Sequence, residues 1–339
     1  MKSSVYIFDP TASDTQSKVR GVGRYLQILK ENFPDWTFTK SVSSALHSQS
    51  PILINPFFNF LQTPLVMKRV AEKQIAIIHD LIPFKYPKQF PIGIKGQINV
   101  FLNKLALKNY NRVITDSEAS KKDIVRLLEL PENKVTVIYP CLPNIFTNSK
   151  FKTPNSKSGI LNTKYCLYVG DATWNKNLMN LAKAIKILNV TCIFVGKVFE
   201  NTQPVDHPWQ KEYKEFLEEI KDDKRFILNG FVSDKELIQL YKQAKVNVLL
   251  SRDEGFGFSY PEASSQKCPS VLADIPVLHE ISNDQALFAN PNDPHDIANA
   301  IGEFYWNDEK RNLIGTKAFE RTKQFSSSVF KKELLQTVQ

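Results

Sequence analysis

Short apolar runs alternate along the chain with longer segments in which apolar residues recur every three or four positions. The short runs are typical of buried strands in a parallel sheet, and the longer segments have the spacing of amphipathic helices. In the first half, the runs that we interpret as strands are Val5–Phe8, Ile52–Asn55, Ile75–Ile78, Arg112–Thr115 and Val135–Ile138. Strands that alternate with helices predict an α/β fold, in which helices cover both faces of a parallel sheet.

A second alternating series follows a polar stretch, about residues 145–163, that is rich in Ser, Asn and Lys. That composition is typical of an interdomain linker. The strands predicted beyond it are Tyr165–Gly170, Thr191–Lys197, Arg225–Leu228 and Val246–Leu250. Since 339 residues exceed the usual size of one core, we predict two Rossmann-like lobes, each a doubly wound parallel sheet, facing each other across a cleft.

The segment from Glu254 to Glu262 has the strongest functional pattern, with two carboxylates on either side of a glycine-bearing turn. It follows a predicted strand, and Pro261 suits the first position of a helix. Gly255 and Gly257 let the backbone approach a ligand closely. Free N–H groups at such a turn favour a diphosphate, and the carboxylates accept hydrogen bonds from hydroxyls of a ribose or hexose. The alternative is an ordinary turn with a Glu that stabilises a helix N-terminus.

Two weaker patterns occur in the first half. Gly21-Val-Gly-Arg-Tyr25 opens a predicted helix after a strand, as phosphate-binding turns do, although a pair of packing glycines explains it equally well. His79 and Asp80 directly follow a predicted strand, where open parallel sheets bind ligands. His79 can donate to a sugar oxygen, and Asp80 can orient it or accept from a hydroxyl. The alternative is a capped strand end.

The net charge of +9 is unevenly distributed along the chain. Residues 1–150 carry 20 Lys and Arg against 11 Asp and Glu, whereas the remainder is balanced at 24 of each. A basic half can face an anionic membrane surface, an anionic substrate or nucleic acid, or be an ordinary solvated surface. No zinc-finger or RNA-binding signature accompanies the charge, so we predict no nucleic-acid partner. The four cysteines lack metal-ligand spacing, and no apolar run is long enough for a span, which predicts a cytoplasmic protein.

Several of these segments together resemble retaining glycosyltransferase family 4. The resemblance rests on the two glutamates, Glu254 and Glu262, and their neighbours, and covers most of the chain. The other matching segments are Gly230–Leu237, Leu240–Ala244, Leu278–Glu280, Asp284–Pro291, Val169-Gly170, Lys176-Asn177, Gly21–Tyr25 and His79–Pro83. The last two resemble a subgroup that includes many bacterial mannosyltransferases of polysaccharide assembly. The chain departs from the family pattern at Lys267, where Gly is usual, and at Asp171, where Arg is usual.

The resemblance implies a GT-B fold in three parts. Residues 1–150 would bind the acceptor, residues 158–319 would bind the nucleotide sugar, and residues 320–339 would form a helix that crosses back to the first lobe. The implied enzyme is a retaining hexosyltransferase that needs no metal ion and no cofactor. Its substrates would be a nucleotide sugar, with GDP-mannose as our first hypothesis, and a glycan or lipid-linked acceptor. Such an acceptor would bring the enzyme into peripheral contact with the inner face of the membrane.

The resemblance also implies a role for individual residues. Glu262 would hold the ribose hydroxyls, and Lys176 would neutralise the diphosphate, with Lys197 a second candidate. His79 would meet the donor sugar near its reacting carbon. The groups implied to hold the sugar hydroxyls or lie against the phosphates are Glu254, the N–H groups of Gly255, Phe256 and Gly257, and Gly23. Two alternatives remain open: another GT-B enzyme, such as a nucleotide-sugar epimerase, and a nucleotide-sugar-binding protein without catalysis.

The helix predicted from about Ile94 to Tyr110 is a candidate for the membrane contact. It carries three lysines, Lys95, Lys104 and Lys108, of which the last two are four residues apart and share a face. Its apolar side consists of Ile94, Ile98, Phe101, Leu102 and Leu105. The simplest expectation is that these apolar side chains pack against the sheet.

Overall fold

The computed structural model describes residues 4–12, 21–42, 50–147, 164–203 and 206–338. The chain divides into two compact units, one formed by Met1–Pro143 with Ser326–Gln339 and the other by Asn144–Phe325. Most of the predicted linker, residues 148–163, lies outside the described residues, as do the predicted domain limits at residues 150 and 158. The first three linker positions belong to a short helix, α5, of the second unit.

The first unit is built on a parallel sheet in the order β2-β1-β3-β4-β5-β6. Its strands are β1 Val5–Phe8, β2 Thr37–Thr39, β3 Ile52–Asn55, β4 Lys73–Ile77, β5 Arg112–Thr115 and β6 Val135–Val137. Its helices are α1 Gly21–Asn32, α2 Ile82–Lys85, α3 Gly93–Leu107, α4 Glu118–Leu128 and, from the end of the chain, α13 Ser327–Val338. The predicted parallel sheet of this half is therefore confirmed.

The second unit is built on a parallel sheet in the order β12-β11-β10-β7-β8-β9. Its strands are β7 Tyr165–Val169, β8 Thr191–Val195, β9 Phe226–Leu228, β10 Val246–Leu249, β11 Ser270–Ala273 and β12 Leu287–Ala289. Its helices are α5 Asn144–Thr147, α6 Leu178–Leu188, α7 Lys211–Glu219, α8 Asp234–Gln243, α9 Ser259–Ser265, α10 Pro276–Ser282, α11 Pro294–Trp306 and α12 Asp308–Arg321. This is the Rossmann strand order, and its direction reverses between β7 and β10.

The burial of the strands explains why their sequences are continuous apolar runs. Every residue of β3, β10 and β11 is buried, because helices cover both faces of each sheet. Large aromatic side chains fill the space between sheet and helices, such as Phe58 and Tyr110 in the first unit and Phe194 and Phe216 in the second. Burying one such ring stabilises the fold by about 1.5–3 kcal/mol. The rigid sheets therefore give the loops at their strand ends a fixed base.

Two helix caps that the sequence predicts, at α4 and α8, are confirmed by hydrogen bonds of their side chains. Ser117 Oγ accepts a hydrogen bond from the Ser120 N–H at 3.0 Å and begins α4. Ser233 and Glu236 form a capping box at the start of α8. The predicted start of the helix at Pro261 is wrong, because α9 already begins at Ser259, where the turn after β10 closes.

The prediction that the apolar side of α3 packs against the sheet is wrong. Ile94, Ile98, Phe101 and Leu105 are exposed, whereas Leu102 is half-buried. The buried face of α3 is formed instead by Gly96, Asn99, Asn103, Ala106 and Leu107. The reason is a set of amide hydrogen bonds, described below, that only this rotation of the helix permits.

The last helix of the described chain begins at Ser327, later than residue 320, where the resemblance places its start. α12 ends at Arg321, a 3-10 helix covers Thr322–Phe325, and α13 begins at Ser327. In the first unit, the Phe330 ring of α13 lies 6.2 Å from the Tyr25 ring and 6.1 Å from the Phe33 ring. Phe330 is 1% exposed, so the last helix contributes to the core of the first unit.

Candidate active site

Two of the predicted site residues form an ion pair at the edge of the second sheet where β7 and β10 end. Lys176 Nζ donates to Glu254 Oε1 at 2.6 Å, and Ser251 Oγ donates to the same oxygen at 2.6 Å. The side chains of Glu254 and Lys176 are 7% and 20% exposed. Because the strand order reverses between β7 and β10, this edge is the position where open α/β sheets bind ligands.

The two loops that carry this pair are bound to each other by asparagine side chains. Asn177 has a left-handed backbone, with φ of 60°, and its amide donates to the carbonyls of Leu250 at 2.9 Å and Pro291 at 2.6 Å. The Asn175 amide donates to the Asp253 carbonyl at 3.1 Å. These bonds hold the backbone on both sides of Lys176 against the loop that follows β10.

A second ion pair holds the outer part of the same loops. Arg252 Nη1 lies 2.8 and 3.0 Å from the two carboxylate oxygens of Glu212, and its guanidinium lies 4.8 Å from the centre of the Trp174 ring. Burial raises the pKa of Glu212, and the charge of Arg252 offsets only part of that rise. Sequence reasoning missed this pair, because Glu212 is on α7, forty residues from Arg252.

The turn from Gly255 to Gly257 and the helix α9 hold the other predicted donor residues. Glu262 is 3% exposed, and the Tyr241 hydroxyl donates to its Oε2 across a long 3.4 Å. Phe256 is buried, with its ring 5.5 Å from the Phe325 ring. Gly257 has φ of 86°, and a Cβ there would lie 2.9 Å from Leu249 Cδ2, so this turn requires glycine.

Lys197 is separate from this group. It is exposed and begins a 3-10 helix directly after β8, which borders β7 on the side away from β10. In the part of the chain that the structure describes, no carboxylate forms an ion pair with it. The predicted second lysine is therefore one strand removed from the pair of Lys176 and Glu254.

In the first unit, His79 is held by two acceptors at the ends of neighbouring strands. Its Nδ1 lies 2.5 Å from Asp116 Oδ2, and its Nε2 lies 3.0 Å from the Pro56 carbonyl oxygen. A neutral imidazole has one N–H and can donate to only one of them, so the arrangement favours the imidazolium. Burial lowers the pKa of His79, whereas the charge and hydrogen bond of Asp116 raise it. The effects that raise the pKa together exceed the effect of burial, so the net shift is upward.

The carboxylate that orients His79 is thus Asp116 and not Asp80. Asp80 Oδ1 accepts instead from the Ile82 N–H at 3.0 Å, where it supports the turn into α2. Sequence reasoning missed Asp116. The available signal was its position directly after β5, because β5 borders β4 and brings Asp116 to the same sheet edge as His79.

The ring of Tyr25 packs edge-on against His79, with the ring centres 4.9 Å apart. Tyr25 is fully buried, and its hydroxyl has no hydrogen-bond partner among the described residues. Burial and the charge of Asp116 raise the pKa of Tyr25 well above its ordinary value. Gly23 precedes it in the first turn of α1 and is half-buried. The contact between Tyr25 and His79 therefore joins two segments of the family pattern, Gly21–Tyr25 and His79–Pro83.

Comparison with known proteins finds one family model and several similar proteins. Residues 151–321, half of the chain, match the family model described as glycosyl transferases group 1. O-antigen chain mannosyltransferase RfbU of Salmonella typhimurium is 31% identical over 235 residues, which are 68% of this chain and 61% of that protein. O-antigen chain mannosyltransferase B of Escherichia coli is 26% identical over 262 residues, which are 75% of this chain and 67% of that protein. The chain thus spans about two thirds or less of the length of these relatives.

A solved structure extends the likeness to nearly the whole chain. HepE of Anabaena, crystallised with UDP and glucose, superimposes with a TM-score of 0.75 over 99% of both chains, at 15% identity. At this identity the likeness establishes the fold alone. The fold is GT-B, as the sequence predicts.

Proposed function

The chain belongs to the glycosyl transferases group 1 family, and we propose that it transfers a hexose from a nucleotide sugar to a glycan or lipid-linked acceptor with retention of the anomeric configuration. The observation that carries this proposal is the pair of Lys176 and Glu254, 2.6 Å apart at the switch point of the second sheet. One partner suits a diphosphate and the other suits sugar hydroxyls.

The ion pair supplies both charges needed for the donor. Without ligand, Lys176 and Glu254 satisfy each other. In the complex we propose, the ammonium of Lys176 forms an ion pair with the diphosphate. The carboxylate of Glu254 then accepts hydrogen bonds from hydroxyls of the sugar. N–H groups of Gly255, Phe256 and Gly257 would add donors for those hydroxyls. Glu262 would accept from the ribose hydroxyls, because a carboxylate has several acceptor positions.

The reaction we propose needs stabilisation of the leaving group and no protein base on the far face of the sugar. The bond from the sugar's anomeric carbon to the phosphate oxygen breaks, and the acceptor oxygen bonds to that carbon on the same face. The acceptor's proton passes to the departing phosphate oxygen. Charge on the diphosphate is greatest at the transition state, so Lys176 and the loop N–H groups lower the barrier most there. No metal ion and no cofactor takes part in this proposal.

His79 has a defined part in this proposal. As an imidazolium it would donate from Nε2 to an oxygen of the donor sugar near the reacting carbon. Nε2 now donates to the Pro56 carbonyl at 3.0 Å, so binding would exchange that acceptor for the sugar oxygen. Asp116 would keep Nδ1 bonded and the ring in place throughout. Gly23 would lie against the phosphates of the donor. Lys197 is a weaker candidate than Lys176 for neutralising the diphosphate.

The donor we propose is GDP-mannose, because the two relatives described above are named as mannosyltransferases. The acceptor we propose is lipid-linked, which would place the enzyme in peripheral contact with the inner face of the cytoplasmic membrane. The excess of positive charge in residues 1–150 supports that placement. No helix among the described residues has the length and apolar character to cross a bilayer.

A panel of nucleotide sugars tests the proposal. Purified protein is incubated with GDP-mannose, UDP-glucose and other nucleotide hexoses, with lipid-linked and soluble acceptors, and products are separated by mass. We expect a glycosylated acceptor and free GDP from GDP-mannose. Conversion of the donor into its epimer without transfer would instead identify an epimerase. Tight binding in a thermal-shift assay with no turnover on any donor would identify a binding protein.

A further inference from the structure

The helix α3 presents its large apolar side chains to the outside of the first unit. Ile94, Ile98, Phe101 and Leu105, which we call the α3 stripe, are 80%, 54%, 63% and 38% exposed. Their spacing of four, three and four residues places them on one line along the helix. Contiguous apolar surface of this kind on a folded unit marks an interaction site.

Hydrogen bonds on the opposite face fix this orientation. The Asn99 amide donates to the Leu61 carbonyl at 2.9 Å. The Asn103 amide donates to the Gln62 carbonyl at 2.7 Å and to the Asn99 carbonyl at 2.9 Å. A rotation of α3 that buried the stripe would expel both amides and leave the carbonyls of residues 61 and 62 without these donors. The outward stripe is therefore a built feature of the first unit.

The segment that contains the stripe carries positive charge and no acidic residue. Lys95, Lys104 and Lys108 are exposed beside it, and none forms an ion pair with a carboxylate of the described chain. Between Asp80 and Asp116 the sequence has no acidic residue at all. The basic residues of that segment are Lys85, Lys88, Lys95, Lys104, Lys108 and Arg112.

An apolar cavity extends this surface on one side of α3. Its volume is about 500 Å³, and Gly93, Gln97, Val100 and Lys104 form the α3 wall. Pro83, Phe84 and Phe90 line the remainder, together with other apolar side chains. Apolar surface thus continues from the stripe into the segment that directly follows His79 and Asp80.

We propose that the α3 stripe and its lysines dock the first unit on an anionic membrane surface. α3 would lie in the plane of the membrane, with Phe101 and the three aliphatic side chains among the acyl chains and the lysines at the lipid phosphates. This proposal deepens the proposed function, on which it rests for the presence of a lipid-linked acceptor. Its chemistry, apolar residues beside lysines on a helix that has no acidic residue, is that of an amphipathic in-plane helix.

Charge argues against a second copy of the chain as the occupant. The spacing of the stripe suits a helix pair, but two α3 helices would bring lysine against lysine with no carboxylate on either helix. An anionic bilayer supplies the opposite charge along the whole length of the helix. Each lysine held at such a surface raises the partition coefficient by about fivefold.

Vesicle sedimentation tests the proposal with the full chain. The vesicles contain phosphatidylcholine alone or phosphatidylcholine with phosphatidylglycerol. The stripe variant is Ile98→Ser with Phe101→Ser, and the matched control is Ile187→Ser with Leu313→Ser, which replaces residues 46% and 55% exposed in the second unit. We expect the wild type and the control to bind the anionic vesicles alike, and the stripe variant to bind at least about tenfold more weakly. Binding should weaken as salt rises.

A fluorophore reports whether the stripe enters the lipid. All four native cysteines are buried, so Ile98→Cys or Leu313→Cys can be labelled selectively with an environment-sensitive dye. We expect a blue shift at position 98 on anionic vesicles and none at position 313. No vesicle binding by the wild type, equal binding by the stripe variant, or a wild-type dimer that the stripe variant abolishes would overturn the proposal.

Sugar transfer to a soluble acceptor separates this proposal from the proposed function. The stripe variant should retain wild-type transfer to a soluble acceptor analogue while losing vesicle binding. Vesicle binding by a protein that transfers no sugar would contradict the proposed function and still support the docking surface. Sugar transfer by a protein that binds no vesicles would support the proposed function and overturn the docking surface.

Discussion

Lys176 Nζ and Glu254 Oε1 lie 2.6 Å apart, although 78 residues separate them in the chain. They meet because β7 and β10 are neighbours in the second sheet and each residue lies in the loop that follows its strand. Both side chains are largely buried, so each charge depends on the other in the absence of ligand. The pair is therefore a preformed site whose two partners a donor can take over.

Replacing Lys176 by Ala should lower kcat more than it weakens donor binding. The diphosphate carries its greatest charge in the transition state, so loss of the ammonium should cost about 10²–10³-fold in kcat. Steady-state kinetics with calorimetry on the donor measures the two effects. Lys197→Ala is the matched control and should change kcat far less. Equal losses in the two variants would mean that Lys176 has no special place at the diphosphate.

Replacing Glu262 by Ala should weaken binding of the free nucleoside diphosphate by about 10- to 1000-fold, because two charge-assisted hydrogen bonds to the ribose are lost. Calorimetry on a variant shown to be folded measures this. The Tyr241→Phe variant is the comparison and should have a much smaller effect, since its bond to Glu262 is 3.4 Å long. Unchanged affinity in Glu262→Ala would remove Glu262 from the ribose site.

The contact between His79 and Asp116 predicts a specific pH dependence of stability. The folded-state pKa of His79 lies above its ordinary value of 6.5. The contribution of this contact to stability is therefore complete below pH 6.5, the ordinary pKa of histidine. It is lost as the pH rises through the raised folded-state pKa. In Asp116→Asn the pKa should fall and this part of the pH dependence should flatten. NMR titration of His79 with denaturant unfolding at several pH values measures both, and an unaltered titration would contradict the assignment.

Removing metal ions should leave sugar transfer intact. In the proposed reaction, Lys176 and the N–H groups of the loop after β10 stabilise the charge that a divalent ion stabilises in other transferases. Transfer by protein treated with EDTA and then freed of it should proceed at the original rate, with or without added Mg²⁺ or Mn²⁺. An absolute requirement for either ion would contradict the role given to Lys176.

The sequence predicted most strands of both sheets, because burial on two faces leaves a short apolar run, but it did not predict β2, β11 and β12, which lie at or next to the sheet edges. Local motifs in the sequence also singled out Lys176 and Glu254, which the structure brings into contact. Sequence reasoning did not find Asp116 as the partner of His79, because that contact depends on which strands are neighbours. The rotation of α3 escaped prediction for a related reason: Asn99 and Asn103 face inward only because carbonyls of a distant loop accept from them.

One departure from the family pattern has a structural explanation. Lys267, where Gly is usual, has a left-handed backbone with φ of 58°, directly after α9 and its C-cap. Glycine adopts that conformation without strain, which is why the position favours it. The lysine keeps the same turn, and its ammonium lies 5.4 Å from the centre of the Phe319 ring. The helix that carries Glu262 is therefore followed by a left-handed residue here as well, although that residue is not glycine.

The stereochemistry of the transferred sugar tests the central claim most directly. GDP-mannose labelled with ¹³C at the anomeric carbon is incubated with the protein and an acceptor, and the product is followed by NMR from the first turnover. The account predicts a glycosidic bond with the same α configuration as the donor, formed by the wild type and strongly reduced in Lys176→Ala. A β-linked product, or an α-linked product formed equally well by that variant, would contradict it.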